Sequence, residues 1–423
     1  MRIHVIGINY WPEQTGIAVF STGRAEYLAA RGHQVTVCSA VPYYPEWRVA
    51  AAYRRRPFAR EQRAGVDLRR CPIYVPSTVN APRRVLHEAS FVASAFLRSL
   101  CCRRPDLLLV VSPPVGLAVA AAMLSWIWRV PYVFHVEDLQ PDAAVDLGMI
   151  RGSSIVRMLY AVERLAYRRA AAVSTLNDAM RDRVIAKGIP AGKVVLFSGW
   201  ADPALFDLNA ETDDAPLRAQ LGLSDAFVVL HAGNMGVKQG LDVVIDAASR
   251  MQAVPDLLFV LVGDGAVRPA LEARVHRLGL SNVRIVPLLS HDQFLRLLAT
   301  AGVCLVTQQR SVADIVFPSK VLTLLAAGKA TVASVNANSQ VAHAIQAAGA
   351  GEVVVPENPG ALIAAIERLR ADRARRATMA ADGRAYARRL WDRETTLARQ
   401  ARTLEAIAVG HPFHDVSSAP DHR

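Results

Sequence analysis

The chain has 423 residues, 52% hydrophobic and 20% charged, which excludes a disordered protein and exceeds one ordinary core, so two domains of roughly 200 residues each are expected. Its formal charge is +12, but no helix-turn-helix, zinc-finger or RNA-recognition pattern accompanies the basic residues, so nucleic acid is not the expected partner. The cysteines (Cys38, Cys71, Cys101, Cys102, Cys304) are odd in number and not spaced for a metal, and they read as reduced thiols of a cytoplasmic protein.

The first strand, Arg2–Ile8, starts at once, with no n-region, h-region or small-residue cleavage site before it. It runs through Gly7-Ile-Asn-Tyr-Trp-Pro-Glu-Gln-Thr-Gly16 into a helix, Ala18–Arg31. Thr15-Gly16 at that helix start offers backbone N–H groups to an anion. The loop lacks the spaced glycines of a dinucleotide fingerprint, which counts against a nicotinamide enzyme.

After the strand Gln34–Ser39 comes a basic stretch: Arg54-Arg55-Arg56, Arg60, Arg63, Arg69-Arg70, Arg83-Arg84, Arg98 and Arg103-Arg104. It reads either as a solvated face or as a contact with an anionic membrane surface. Leu107 to Val130 is long enough to span a bilayer, but Ser112-Pro113-Pro114-Val115-Gly116 interrupts it. A strand, Leu107–Val111, and a buried or interfacial helix, Val115–Trp128, are expected instead.

The strand Tyr132–His135 ends in His135-Val136-Glu137-Asp138, where an acid, a base or a sugar-hydroxyl ligand is useful. Equally, Asp138 can cap the next turn and His135 can be a core histidine. No second acidic pair completes a metal site, so no metal is expected. The helix Ile155–Arg169 and the strands Ala171–Ser174 and Val194–Phe197 close the first half, and Ala201 to Ala215, rich in Asp, Pro and Asn, reads as a linker.

The second half opens with the strand Phe227–His231, followed by Gly233, Gly236 and Gly240, with Lys238 among them and a helix from about Leu241 to Met251. Strand, glycine turn, lysine and helix start together suit a diphosphate: glycine lets the backbone approach, the helix start offers N–H groups, and Lys supplies a compact charge. An ordinary β–α turn in which glycine only permits tight packing reads the same way. Next come the strand Leu257–Val262 with the turn Gly263-Asp264-Gly265, the helix Ala266–Leu278, the strand Val283–Pro287, the helix His291–Ala299 and the strand Val303–Val306. Asp314-Ile-Val-Phe317-Pro318-Ser319-Lys320-Val321-Leu322-Thr323 then leads a helix, Ser319–Ala327. There Lys320 adds charge where the helix dipole already favours anions, or it is a surface residue on a capped helix. Lys occurs only at Lys187, Lys193, Lys238, Lys320 and Lys329, so two of the five fall in these loops. The strands Ala330–Ser334 and Gly351–Val355 and a long helix, Ala377–Ile407, complete the pattern.

Alternating strands and helices make the fold class α/β with two doubly wound Rossmann-like domains, expected at residues 1–205 and 206–384. Residues about 385–407 are expected to pack back on the first domain, and 410–423 to form a frayed tail.

Taken together, these pieces resemble glycosyltransferases of the two-Rossmann-domain GT-B type, in the large retaining family four. Within that family the chain is similar to the colanic-acid-biosynthesis glycosyltransferases. The resemblance covers nearly the whole chain. It rests on Gly7-Ile-Asn-Tyr, Pro12-Glu-Gln-Thr-Gly-Ile, Pro42-Tyr-Tyr-Pro, Arg70-Cys-Pro-Ile-Tyr-Val-Pro, Gly233-Asn-Met-Gly-Val-Lys-Gln-Gly-Leu and Phe317-Pro-Ser-Lys. It implies a donor held by the second domain, a GDP- or UDP-sugar with GDP-fucose among the candidates. The implied acceptor, a polyprenyl-diphosphate-linked saccharide for exopolysaccharide or capsule, sits mainly on the first domain. It further implies that Lys238 neutralises the departing diphosphate, that Gly16 and Ile17 face the distal phosphate, and that Ser319, Lys320 and Val321 flank its other side. Gly233, Asn234, Gly236 and Gly263 would line the donor loops, with His135 and Asp138 touching the transferred sugar or acceptor.

Neither cofactor nor metal is implied, and the location is the cytoplasm, peripheral on the inner face of the membrane. Two departures stand out. Asn234 replaces the family's usual Arg, and Ile315 and Thr323 replace two glutamates, the second of which usually grips the ribose; Arg310 is a candidate for the missing charge. The departures motivate one alternative, an inactive donor-binding subunit, and the shared fold allows a second, a sugar-nucleotide epimerase.

Overall fold

The computed structural model describes residues 1–13, 16–78, 80–140, 142, 153–208, 215–223, 225–311 and 319–413. The chain divides into two compact units, Met1–Gly199 with Glu394–Arg423, and Trp200–Arg393.

In the first unit, β1 (Arg2–Ile6), β2 (Gln34–Ala40), β3 (Arg60–Arg63), β4 (Val66–Cys71), β5 (Leu107–Ser112), β6 (Tyr132–Val136), β7 (Ala172–Thr175) and β8 (Val194–Leu196) form one sheet. Their order is β3-β4-β2-β1-β5-β6-β7-β8. All neighbours run parallel except β3, which folds back antiparallel on β4. β5 reads Leu-Leu-Leu-Val-Val-Ser and is buried at every position, as a parallel strand covered on both faces must be. One face of the sheet packs Ile6, Val110 and Phe134 against the helix Leu117–Trp128, and the other packs Val5, Leu109 and Val133 with Leu404 and Ile407 of the helix Arg393–Ala408.

The second unit holds β9 (Phe227–Ala232), β10 (Leu257–Val262), β11 (Val283–Val286), β12 (Val303–Thr307), β13 (Thr331–Ser334) and β14 (Gly351–Val354). These run parallel in the order β11-β10-β9-β12-β13-β14. Leu230, Val260 and Val306 fill one side, and Val229, Phe259 and Leu305 the other.

In each sheet the strand order reverses once, between β1 and β5 and between β9 and β12. Ligands of open α/β sheets bind outside the carboxyl ends of the strands at that reversal. The loops after β1, β5, β9 and β12 are therefore where chemistry is expected.

One expectation is corrected, and two elements appear that the sequence did not suggest. The long final helix is two, Arg373–Trp391 and Arg393–Ala408, because Asp392 at φ −58 and ψ 130 leaves the helical region. The division of the chain falls at that break. A helix not expected from the sequence, Ala81–Leu100, starts where the Asn80 side chain accepts a hydrogen bond from Arg83 N at 3.1 Å, with Pro82 in its first turn. The antiparallel β3–β4 pair was not anticipated either, and it uses much of the basic stretch internally. Arg60 and Arg69 meet Asp67, Arg63 meets Glu26, and the fully buried Arg70 meets Glu61 and donates to the carbonyls of Trp11 and Ala40.

Among the described residues, no helix is long and apolar enough to cross a membrane.

Candidate active site

In the second unit the polypeptide leaves β9 through Gly233, at φ +136, and turns through Val237–Gln239 into Gly240, at φ +57, before the helix Asp242–Arg250. These are left-handed conformations that glycine adopts without a Cβ penalty. The loop after β10 lies directly on this one: a Cβ on Gly263 would stand 1.9 Å from the Gly233 carbonyl oxygen, and one on Gly265 2.5 Å from that of Met235. Backbone bonds seal the contact, from Gly233 N to Val262 O at 2.8 Å and from Met235 N to Asp264 O at 2.8 Å.

Lys320, in the first turn of the helix Ser319–Ala326, reaches back to the same place. Its Nζ lies 3.2 Å from Nε2 of His231, and its Cε is 3.0 Å from where a Gly233 Cβ would be. His231 is fully buried, and burial with the nearby Lys320 charge keeps its imidazole neutral. Burial also lowers Lys320, to about 7, so a cation that is costly in the free protein is poised to be stabilised by an arriving anion.

Lys238 is exposed on its short turn, whose backbone is pinned where Lys238 O accepts from Gln309 N at 2.8 Å, at the start of the loop after β12. Gly233, Asn234, Gly236, Lys238, Gly263 and Lys320 thus belong to one group of loops at the reversal point of their sheet. Val321 is fully buried, so only its backbone can face a ligand, and Thr323 is half-buried two residues further on. Arg310 is exposed, and its carbonyl accepts from Asn336 Nδ2 at 3.0 Å. Asp314, Ile315, Phe317 and Pro318, and the side chain of Ser319, lie outside the described residues.

In the first unit, Gly16 caps the helix Ile17–Ala30 at φ +57 and ψ −134. A Cβ there would meet nothing within 4 Å, so it is the backbone conformation rather than crowding that asks for glycine. Thr15 lies outside the described residues. Glu13, buried in the same loop, takes hydrogen bonds from Asn9 Nδ2 at 2.8 Å and from the backbone N–H groups of Tyr43 and Tyr44 at 3.0 and 2.9 Å. It therefore ties the loop after β1 to the Pro42-Tyr-Tyr-Pro segment. In the sequence, only its place within Pro12-Glu-Gln-Thr marks Glu13.

His135 does not face a loop surface. It is fully buried, with Nδ1 2.9 Å from Ser174 Oγ and Nε2 2.9 Å from Glu137 Oε1 and 3.2 Å from the Arg24 guanidinium. It holds a core position at the end of β6, as the sequence also allowed. Burial and the Arg24 charge lower its pKa, and, against burial, His135 and Arg24 hold the Glu137 carboxyl below its ordinary value. Arg24 is in turn bound through Nε to Gln400 Oε1 at 2.8 Å, and Gln400 Nε2 donates to Ser198 O at 2.8 Å. This network orients the end of β6, with the half-buried Asp138 following.

Among the described residues, one group with metal-binding chemistry comes together: His4, Cys38 and Cys102, with ligand atoms within 4.8 Å of one another. It sits inside the unit, where burial lowers His4 to about 3; against the Cys102 thiol, the Cys71 thiol and burial raise Cys38, and the Cys38 thiol and burial raise Cys102. Neutral thiols of this kind pack as small hydrophobes.

Comparison with known proteins bears on both units. Residues 15–200 match the Glycosyl transferase 4-like domain family and residues 213–386 the Glycosyl transferases group 1 family. The Escherichia coli K12 protein WcaI, named for colanic acid biosynthesis and glycosyl transfer, is 37% identical over 373 residues, 86% of this chain and 91% of its own length. Among solved structures, HepE of Anabaena in complex with UDP superposes with a TM-score of 0.69 at 20% identity, covering 96% of this chain and 100% of that one. Sucrose-phosphate synthase from Thermosynechococcus elongatus superposes with a TM-score of 0.71 at 18% identity, covering 97% and 99%.

Proposed function

The chain belongs to the glycosyltransferases of the GT-B fold, and from that premise we propose that it moves a sugar from a GDP- or UDP-sugar to a lipid-linked oligosaccharide, with retention at the transferred carbon, in exopolysaccharide assembly of the colanic-acid kind. The observation that carries this reading is the glycine-lined group of loops in the second unit, with Lys238 exposed at its rim and Lys320 held against neutral His231. HepE, of the same fold, is solved with UDP, a nucleoside diphosphate.

Departure of a nucleoside diphosphate builds negative charge on phosphate oxygens. Preorganised cations and N–H groups aimed at that charge lower the barrier. In the proposed step the acceptor hydroxyl replaces the diphosphate on the sugar carbon, its proton passes to the leaving phosphate, and Lys238, Lys320 and the first-turn N–H groups of Ser319–Ala326 stabilise the product. No metal is called for in that balance.

A panel of nucleotides read by thermal shift tests the reading, because a ligand that binds only the folded state raises the melting temperature with occupancy. GDP or UDP is expected to stabilise selectively. The shift is expected to shrink as pH rises from 7 to 9. Below about 7 Lys320 is already charged, whereas above it the diphosphate must first bring a proton onto the amine. No stabilisation by any nucleotide would favour an inactive subunit, and an epimerised nucleotide sugar would replace transfer by epimerisation.

We also place the protein peripherally on the inner face of the cytoplasmic membrane. On the helix Leu117–Trp128, Trp126 is 77% exposed, with Met123 and Ile127 also exposed, and Val85, Leu86 and Leu97 are exposed on Ala81–Leu100. The two helices touch where Val92 abuts Gly116, and exposed Arg83, Arg103, Arg104 and Arg129 surround them. Apolar side chains flanked by arginines suit an anionic lipid surface. Co-sedimentation should show binding to phosphatidylglycerol vesicles and not to phosphatidylcholine, weakened by salt and by Trp126→Ser. Equal recovery with both lipids, or none with either, would remove the assignment.

A further inference from the structure

The first unit carries a pocket whose aromatic wall lies beside the loop expected to meet the distal phosphate. At the reversal point of the sheet, between the loop after β1 and the Pro113-Pro114 turn after β5, it encloses about 210 Å³. Its wall includes Tyr43, Tyr44, Trp47 and His87, with Gly16 and Ile17 at one edge and the Arg84–Glu88 pair at one side. His87 belongs to the helix Ala81–Leu100 and is 1% exposed. Its ring is held edge-on to Tyr43, with centroids 4.8 Å apart, and tilted against Trp47 at 5.2 Å. Trp47 itself sits at φ +50, a left-handed conformation that a bulky residue adopts only where surrounding structure imposes it.

The protonation of His87 decides what this wall can recognise. Nδ1 lies 2.5 Å from the Tyr74 carbonyl oxygen, which only accepts, so Nδ1 carries the ring proton. Burial lowers the pKa of the ring and keeps it neutral. Nε2 is therefore a bare lone pair, and it finds no hydrogen-bond partner among the described residues. A buried acceptor of this kind asks for an O–H or N–H donor. It repels a phosphate oxyanion, which has only lone pairs to offer. Aromatic faces beside a lone-pair acceptor suit a neutral polyol whose C–H faces stack and whose hydroxyls donate. The volume is below the roughly 300–1,000 Å³ of pockets for drug-sized ligands, which leaves space for one ring-sized unit.

We propose that this pocket is a pyranose subsite for the saccharide acceptor, in which Tyr44 and Trp47 cover the sugar and His87 Nε2 accepts a hydrogen bond from one of its hydroxyls. The assignment rests on the glycosyltransferase reading above and names the part of the substrate that this unit selects. Glu13 is the positioning residue of the subsite, because it fixes the backbone of Tyr43 and Tyr44.

The test is saturation-transfer NMR on the full-length protein with methyl glycosides of glucose, galactose, mannose and fucose, alongside nucleotide thermal shift on the same samples. At least one glycoside is expected to bind saturably to the wild-type protein and to be unaffected by inorganic phosphate. His87→Phe keeps an aromatic ring without the acceptor and should weaken that binding about tenfold. His87→Gln restores an acceptor and should recover part of it. Trp47→Leu, on a different element, should also weaken it, so the inference survives a folding defect in either variant. Nucleotide stabilisation should be unchanged in all three. Glycoside binding that is equal in wild type and His87→Phe, absent altogether, or displaced by phosphate overturns the subsite. If nucleotides stabilise while glycosides fail, the subsite falls alone; if nucleotides fail, it is the transferase reading that falls.

Discussion

Replacing Lys238 by alanine should remove the stabilisation by GDP or UDP and lower turnover by about 10²–10³-fold, the loss typical of deleting one donor aimed at developing negative charge. The melting temperature of the free protein should stay within about a degree, because an exposed surface side chain away from special features contributes within roughly 0.5 kcal/mol. That separation of binding from stability makes the variant informative. The backbone of the turn is held independently of the side chain, through Lys238 O and Gln309 N, so the loop keeps its course when the amine is removed. A variant that still binds nucleotide as wild type does would take the diphosphate role away from this residue and leave it with Lys320. Turnover is read with whichever donor the nucleotide panel selects, by release of free sugar or by transfer.

Gly263→Ala should act in the opposite way, through the fold. The new methyl would stand 1.9 Å from the Gly233 carbonyl oxygen and 2.9 Å from its carbon, both backbone atoms that no rotamer change can move, and φ at this position is +145. The two loops that β9 and β10 send out must separate or the second unit must unfold. The expected cost is on the order of 4 kcal/mol, in the range reserved for named structural faults. Thermal denaturation should show the second unit melting early, with nucleotide stabilisation lost alongside it. Gly16→Ala is the comparison. Its Cβ would meet nothing within 4 Å, so only the left-handed backbone is paid for, about 1–2 kcal/mol. Equal effects of the two substitutions would show that backbone conformation, and not the close approach of the loops, is what Gly263 secures.

Much of the proposed donor side is legible in the sequence because its chemistry is local. Gly233, Gly236, Lys238 and Gly240 are consecutive along one turn between a buried strand and a helix, and each residue type answers a need of that turn itself. Lys320 was legible for its place at a helix start but not for its partner. His231 lies 89 residues earlier, and only the parallel pairing of β9 with β12 puts the two side chains together.

The proposed acceptor side is hardly legible at all. Arg83 and Arg84 drew attention as charge, which hid the apolar positions of Ala81–Leu100 and with them His87. Arg70 was counted among surface cations, yet it is fully buried between Glu61 and two carbonyls, one of them 59 residues away. The sequence places His135 at the end of a strand and leaves open a ligand role or a core position; the structure buries it fully. Strand periodicity tells which side of a sheet a residue takes, and in a parallel sheet both sides are interior.

The sequence alone therefore determined the class of the fold and the places where backbone must bend to meet an anion. Buried β-branched runs, amphipathic helices and glycine turns are set by neighbours a few residues apart, and that range is what a sequence displays. The tertiary structure decided which polar groups stay at the loops and which serve the interior. That choice depends on partners brought in by strand order: Glu13 with Tyr43 and Tyr44, Arg24 with His135 and Gln400, Lys320 with His231. Removing a polar group from water is costly unless a partner awaits it, and a partner 30 to 376 residues distant exists only once the sheet has formed.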